Sequence, residues 1–275
     1  MSLVVTLSTI PPRFNELGPT LESLLAQTAA IDEIRLYVPR KYRRFPDYDG
    51  SLPDVPKGVR IIQPDEDLGP SSKVVFAADE LRGTDTTIIY CDDDRIYEPD
   101  RFMRMTEESR ERPACCIAPL TLDFHDVELP VPPLRQPRCM AYKKGWDYRR
   151  ERIAQQLRFA VTGKRSPKPR RPRFGTAGFG SFAEGCGAVL IRPDFLPAEA
   201  LDVPPVLWAV DDIWLSGHME RLGIPIWTPA NFLIPFHDHL NDVEPLYLAV
   251  IEGLGRHDAN IACIRYMQDT YGIWR

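Results

Sequence analysis

Three adjacent carboxylates, Asp92, Asp93 and Asp94, follow directly on the apolar, β-prone run Thr87-Ile88-Ile89-Tyr90-Cys91. Like charges in contact at the end of a buried strand are unfavourable unless a metal or another cation offsets them. A divalent metal is the simplest tenant. Carboxylate oxygens are hard ligands that suit Mg²⁺ or Mn²⁺, and Mg²⁺ is commonly held by one or two carboxylates together with substrate phosphates. In an extended chain Asp92 and Asp94 point to one side and Asp93 to the other. The triplet therefore reads as a metal clamp on a diphosphate, against the plainer reading of a solvated acidic turn.

A second acidic pair, Asp211-Asp212, precedes Trp214, Leu215, His218, Met219 and Leu222, whose helical spacing is closed by Gly223 and Pro225. Acids at a helix N-terminus cap it and oppose its dipole, and two in a row exceed what capping needs. One can cap while the other faces a site. Glycines recur beside aromatics in Phe174-Gly175-Thr176-Ala177-Gly178-Phe179-Gly180 and return in Gly185-Cys186-Gly187. Such a segment moves or lets a ligand approach the backbone, with a ligand-free hinge or bend as the alternative.

These groups need a scaffold, and over the first 120 residues strand and helix alternate. A β-rich start at Leu3 to Leu7 meets the Pro11-Pro12 pair, which delays any helix. Leu17, Leu21, Leu24 and Leu25 then fall on one helical face. Strands are expected from Glu33 to Val38 and from Val59 to Ile62, then a helical stripe of Val74, Ala77, Ala78 and Leu81. After the triplet's own strand come a helix near Asp100 to Arg112 and a strand near Ala114 to Ala118. This order predicts an α/β fold with a mostly parallel sheet, whose ligands bind at the carboxyl ends of its strands. No Gly-x-Gly-x-x-Gly follows the first strand and no Gly-Lys-Ser or Gly-Lys-Thr occurs, which argues against a dehydrogenase or a P-loop NTPase. A diphosphate held without a glycine loop must be neutralised otherwise, and a carboxylate-bound metal does that.

The chain has 275 residues, 44% hydrophobic and 27% charged, which suits one large domain or two closely packed halves. Its apolar runs are strand-sized, so neither a membrane span, a signal peptide nor an anchor is expected. Cysteines 91, 115, 116, 139, 186 and 263 form no Cys-x-x-Cys pair or zinc-ligand spacing. They read as reduced thiols in an intracellular, cytoplasmic setting.

The residues together resemble the glycosyltransferases of the GT-A fold, of a family 2-like or exostosin-like kind with an acidic metal motif. The resemblance rests on the Thr9-Ile10-Pro11-Pro12-Arg13 loop, Asp67-Leu68-Gly69-Pro70-Ser71-Ser72-Lys73, the Asp92–Asp94 triplet, Gly185-Cys186-Gly187-Ala188-Val189-Leu190 and Asp211-Asp212-Ile213-Trp214-Leu215, in that order. It implies a Rossmann-like, mostly parallel sheet flanked by helices. It further implies that Thr9, Pro11 and Arg13 line the base and ribose pocket, that Lys73 lies near the nucleotide or its phosphates, and that Asp92 and Asp93 belong to the donor site. Asp94 and Asp92 would hold Mn²⁺ or Mg²⁺, with His237 as a third protein ligand and His239 as its rival. Asp212, with Asp211 beside it, would be the catalytic carboxylate, taking the proton from an acceptor hydroxyl in an inverting transfer.

Charge is segregated along the chain. Residues 135–173 carry 14 Lys or Arg against Asp147 and Glu151, a balance of +12 that leaves −17 elsewhere given the total of −5. The proline-rich tail of that stretch is expected to be a mobile basic loop near 160–175. Anionic partners are implied, either phosphate-bearing acceptors or lipid headgroups at a peripheral membrane contact, against the plainer reading of a solvated loop with no specific partner. Nucleic acid is not expected, since the whole chain has a pI near 5.6.

The reading is an α/β GT-A chain with a nucleotide-sugar-binding half, 1–120, and an acceptor-binding, catalytic half, 121–275. It would move a hexosyl group from a UDP-sugar to a glycan, lipid-linked or other anionic acceptor. The alternatives are a sugar-nucleotidyltransferase, which should carry a glycine-rich phosphate loop, and a non-catalytic anion-binding protein with vestigial carboxylates.

Overall fold

The computed structural model describes residues 2–164, 170–237 and 243–275, with the backbone alone for Asp147, His237 and Tyr247. The chain begins with β1 (Ser2–Ser8), α1 (Gly18–Leu25), β2 (Glu33–Tyr37), β3 (Val59–Ile62), α2 (Val75–Glu80) and β4 (Thr86–Tyr90). β1 pairs in parallel with β2, and β2 with β3; β4 then returns to the other flank of β1, also in parallel. The winding reverses direction between β1 and β4. In an open α/β sheet that reversal leaves a crevice beyond the strands' carboxyl ends, where ligands bind.

Next come β5 (Arg95–Ile96), α3 (Arg101–Glu111), β6 (Cys116–Ile117), β7 (Thr121–Leu122), β8 (Met140–Ala141), α4 (Trp146–Thr162) and β9 (Phe174–Thr176). The remainder is β10 (Gly178–Phe179), β11 (Phe182–Ala183), β12 (Val189–Ile191), α5 (Asp211–Arg221), β13 (Ile226–Thr228), β14 (Phe236–His237) and α6 (Arg256–Tyr271). The central sheet has eight strands in the order β10-β13-β6-β12-β4-β1-β2-β3. β12 runs antiparallel to both its neighbours, β4 and β6. The α/β architecture expected from the alternation is therefore present, with strands from both halves of the chain in one sheet.

β4 shows why an unbroken apolar run was needed. Ile88 and Tyr90 face a core shared with α2, α5 and α6, while Ile89 and the following Cys91 face one shared with α1 and α3. Both faces are covered, so the strand is hydrophobic throughout. Three expectations are corrected. Leu25 lies on the exposed side of α1 while Leu17, Leu21 and Leu24 are buried, because the core meets a narrower arc than four leucines span. The strand expected near 114–118 shrinks to Cys116–Ile117. The basic stretch is not a free loop at its ends: α4 continues to Thr162, Arg170 pairs with Glu98 and stacks on Phe236, and Arg173 pairs with Glu184. Residues 165–169 lie outside the described residues. No helix among the described residues is long and apolar enough to cross a membrane.

One buried cation ties the later segments to the sheet. Arg101, fully buried in the first turn of α3, donates from Nε to the Gly187 carbonyl at 2.9 Å. Its Nη1 donates to the Leu233 carbonyl and to Glu98, each at 2.9 Å. Arg101→Met keeps the volume and removes every donor, leaving Glu98 and two carbonyls without that partner. Breaking a buried pair in this way costs about 3–5 kcal/mol. Urea unfolding of the variant is expected to show a loss of that size with an unchanged m-value.

Candidate functional site

A cleft of about 340 Å³ opens where the switch-point argument places it, beyond the carboxyl ends of β1 and β4. Thr9 and Ile10 leave β1, and Pro11 starts a 3₁₀ turn at Pro11–Glu16 that swings Arg13 back toward β4. The acidic triplet lies past the strand's end, with Asp93 and Asp94 in a turn, so the alternation expected of an extended chain stops. Asp93 accepts from the Thr9 hydroxyl at 2.6 Å and from Arg13 Nη1 at 2.5 Å. Its carbonyl accepts from the Thr20 hydroxyl at 2.9 Å, while the Tyr42 hydroxyl donates to the Thr9 carbonyl at 2.9 Å. Asp93 thus fastens the β1 loop to the β4 turn. Asp94 shares Arg13, at 3.5 Å, and meets Arg95 Nε at 3.1 Å, yet its buried Oδ1 takes no aligned hydrogen bond.

Asp92 turns the other way, toward Lys73. The 3₁₀ turn Gly69–Lys73 begins at a glycine with φ +61°, where a side chain would strike the Trp208 indole. That indole donates to the Asp67 carbonyl at 2.9 Å. The turn delivers Lys73, 4% exposed, between Asp92 Oδ1, to which it donates, and Asp211 Oδ2 at 2.7 Å. Asp211 and Asp212 occupy the first turn of α5, but neither caps it: the N-cap position is Val210, with no side-chain hydrogen bond. Asp212 Oδ1 instead accepts the Gly185 N–H at 3.0 Å, and Oδ2 lies 3.5 Å from Arg256 Nη2. A Cβ on Gly185 would run into the Lys73 ammonium and the Asp92 carboxylate.

Three buried or half-buried acids, Asp92, Asp211 and Asp212, thus face two cations, Lys73 and Arg256. Burial would lower the Lys73 pKa, but Asp211 and Asp92 hold it well above the ordinary lysine value. Burial works to raise Asp92, and Lys73 pulls it below the usual carboxylate range. The excess of acids over cations is relieved by a proton on Asp212, which burial and then Asp211 push up to about 8 despite Lys73 and Arg256. Burial, with Asp92 and Asp93 adding repulsion, pushes Asp94 up to about 6. Burial likewise holds Asp93 above its ordinary value against Arg13.

The structure therefore gathers Thr9, Arg13, Lys73, Asp92, Asp93, Asp94, Asp211 and Asp212 around one cleft, whereas Pro11, half-exposed, sits outside its lining. The backbone of His237 pairs with Arg95, one residue past Asp94, and His239 lies outside the described residues. Among the described residues no group of three or more His, Cys, Asp or Glu converges as a metal cage. Two hard carboxylates, one with an oxygen lacking an aligned hydrogen bond, nevertheless fit a Mg²⁺-type ion that takes its other ligands from phosphate and water. Sequence reasoning missed Arg95, Tyr42, Trp208 and Arg256. Arg95 could have been found by its adjacency to the triplet; Arg256 stands 44 residues beyond Asp212 with no local motif to mark it.

No family model matches the chain, and no curated protein matches it. Solved structures that resemble it include a 4-diphosphocytidyl-2C-methyl-D-erythritol synthase, 12% identical, covering 88% of this chain and 96% of that one, TM-score 0.44. Also similar are S. aureus TarS 1-349 in complex with UDP, 13% identical over 84% of this chain and 59% of that one, TM-score 0.41, and a second TarS 1-349 structure, 12% identical over 98% and 72%, TM-score 0.44. At these values the likeness concerns the path of the chain, and no chemistry follows from it.

The Asp212 shift has a sign that can be measured. A carboxyl raised from its ordinary 3.8 to about 8 binds its proton more tightly folded than unfolded. That stabilisation is complete below about pH 4 and is lost as the pH rises through about 8. Asp212→Asn carries no such titration. Its Tm relative to the parent is expected to rise steadily between about pH 4 and pH 8 and then level off, as followed by calorimetry at fixed ionic strength.

Proposed function

We propose that this chain transfers a sugar from a nucleoside-diphosphate sugar, with UDP as the nucleotide, to an acceptor hydroxyl. The observation that carries the reading is the delivery of Asp212, a carboxylate with a proton affinity near neutrality, into the same switch-point cleft as the acidic triplet, with buried Lys73 between them. Paired acids whose environments drive their proton affinities apart are the usual mark of divided acid–base roles. The wall around Thr9 and Arg13 includes Tyr42 and Phe45, edge to face at 6.1 Å, which offers an aromatic surface to a base.

Asp94 and Asp92 would hold Mn²⁺ or Mg²⁺, an ion that neutralises diphosphate charge when bound. Lys73 and Arg13 add fixed positive charge on either side of the triplet, and Gly185, lacking a side chain, leaves Lys73 room to reach Asp92. Asp212 Oδ1 is occupied by the Gly185 N–H, so Oδ2 is the oxygen that takes the acceptor proton. As that proton moves, the acceptor oxygen bonds to the anomeric carbon. The bond from that carbon to the diphosphate oxygen breaks, and the nucleoside diphosphate keeps the electron pair. This attack inverts the anomeric centre.

The test is release of UDP from a panel of UDP-sugars in the presence of Mn²⁺, with calorimetry of UDP binding alongside. Asp94→Ala is expected to lose Mn²⁺-dependent UDP binding while keeping its fold. Asp212→Asn should bind UDP like the parent and turn over about 10²- to 10⁴-fold more slowly, the range for general-base catalysis. A parent that binds neither UDP nor Mn²⁺ would sink the proposal, and release of pyrophosphate in place of UDP would reassign it to nucleotidyl transfer.

A further inference from the structure

Helix α4 leaves and returns to the body through the antiparallel β8–β9 pair, and none of its described side chains is buried. On a helix that turns about 100° per residue, Tyr148, Arg152 and Gln155 fall within one narrow arc. They are its half-buried residues, screened in part by one another, as Arg152 donates to Gln155 at 2.7 Å. The opposite arc carries Trp146, Ile153, Leu157 and Val161, which are 74%, 52%, 63% and 85% exposed. An apolar stripe two turns and more in length is thus open to solvent, and nothing among the described residues covers it.

Charge says what does. Residues 143–164 hold seven Lys or Arg against Asp147 and Glu151, and Lys143, Lys144, Arg149, Arg150, Arg158 and Lys164 are all exposed. Arg150 lies within the apolar arc itself, where a long aliphatic stem can lie along the stripe while its guanidinium reaches a polar layer. Pairing with a second copy would set this cationic helix against itself, which like-charge repulsion opposes. An anionic bilayer suits both features at once, since it accepts an apolar face at acyl depth and draws arginines to its phosphates.

We propose that α4 is a membrane-surface helix that seats its Trp146–Ile153–Leu157–Val161 stripe in an anionic lipid bilayer. The site of docking bears on the cleft. Arg173, at the foot of the returning β9, pairs with Glu184, which lines the cleft. A docked α4 therefore holds the cleft close to the lipid surface, where a lipid-linked acceptor would be met. Only that last point rests on the transferase reading; docking stands without it.

The experiment is cosedimentation of the full chain with vesicles of phosphatidylcholine alone and of phosphatidylcholine mixed equally with phosphatidylglycerol. Binding is expected to the anionic vesicles only and to weaken as salt is raised. Each cation near an anionic surface is worth about 1 kcal/mol, so the combined Arg149→Gln, Arg150→Gln and Arg158→Gln variant should bind roughly a hundredfold more weakly. Leu157→Asp should remove binding while leaving circular dichroism and UDP affinity as in the parent, since the residue is exposed and remote from the cleft lining. Anionic vesicles that fail to sediment the parent, or Leu157→Asp binding like the parent, overturn the proposal. So does a parent dimer, seen by sedimentation equilibrium, that Leu157→Asp dissolves, because the stripe would then belong to a second copy. Neither nucleotide nor metal enters the vesicle assay, so its failure leaves the transferase reading standing, and absent turnover leaves docking standing.

Discussion

The Lys73 ammonium, buried between Asp92 beyond β4 and Asp211 at the head of α5, is the contact on which the site depends. A buried ion pair gains little net stability, because desolvation offsets most of the attraction. Its effect is geometric. To keep both partners, the Gly69–Lys73 turn, the β4 end and the first turn of α5 must all arrive at one point. Gly185 must also carry no side chain there. Removing the lysine would leave two carboxylates facing one another in a cavity already short of positive charge.

Around that contact, chemically identical side chains take different parts. Asp93 is consumed by Thr9 and Arg13 and serves the backbone more than the cleft. Asp92 is held ionised by Lys73, and Asp94 keeps an oxygen without an aligned hydrogen bond. Asp211 answers Lys73, whereas its neighbour Asp212, buried beside it, keeps its proton up to about pH 8. Burial and neighbours assign these parts; residue type does not.

Much of the scaffold was legible in the sequence, because periodic apolar patterns report which face is buried. The four-residue β3 and the helix after Pro99 lie where periodicity places them. Leu25 misled because a pattern cannot say how wide the buried arc is. The triplet was legible as a site, since three acids after a β-prone run have few structural reasons to exist. Its internal division was not, since that depends on Arg13 arriving from a 3₁₀ turn about 80 residues away. Arg256 was invisible for a similar reason: only packing of α6 on α5 brings it to Asp212. The helical character of α4 was hidden by the prolines and charges that follow it.

The antiparallel β12 has a consequence for how the molecule is made. β4 is bounded by β1 on one flank and by β12 on the other, and β12 begins only at Val189. A chain emerging from synthesis completes its first four strands long before that partner exists. In the interval β4 shows an open edge of unpaired amides on a strand apolar on both faces, the kind of edge that recruits other chains. Closure requires a contact spanning about a hundred residues, which the high loop-closure entropy of non-local pairing makes slow. The sheet begun by the first 120 residues is thus incomplete without β12, and the β4 edge stays open until Val189–Ile191 has been synthesised.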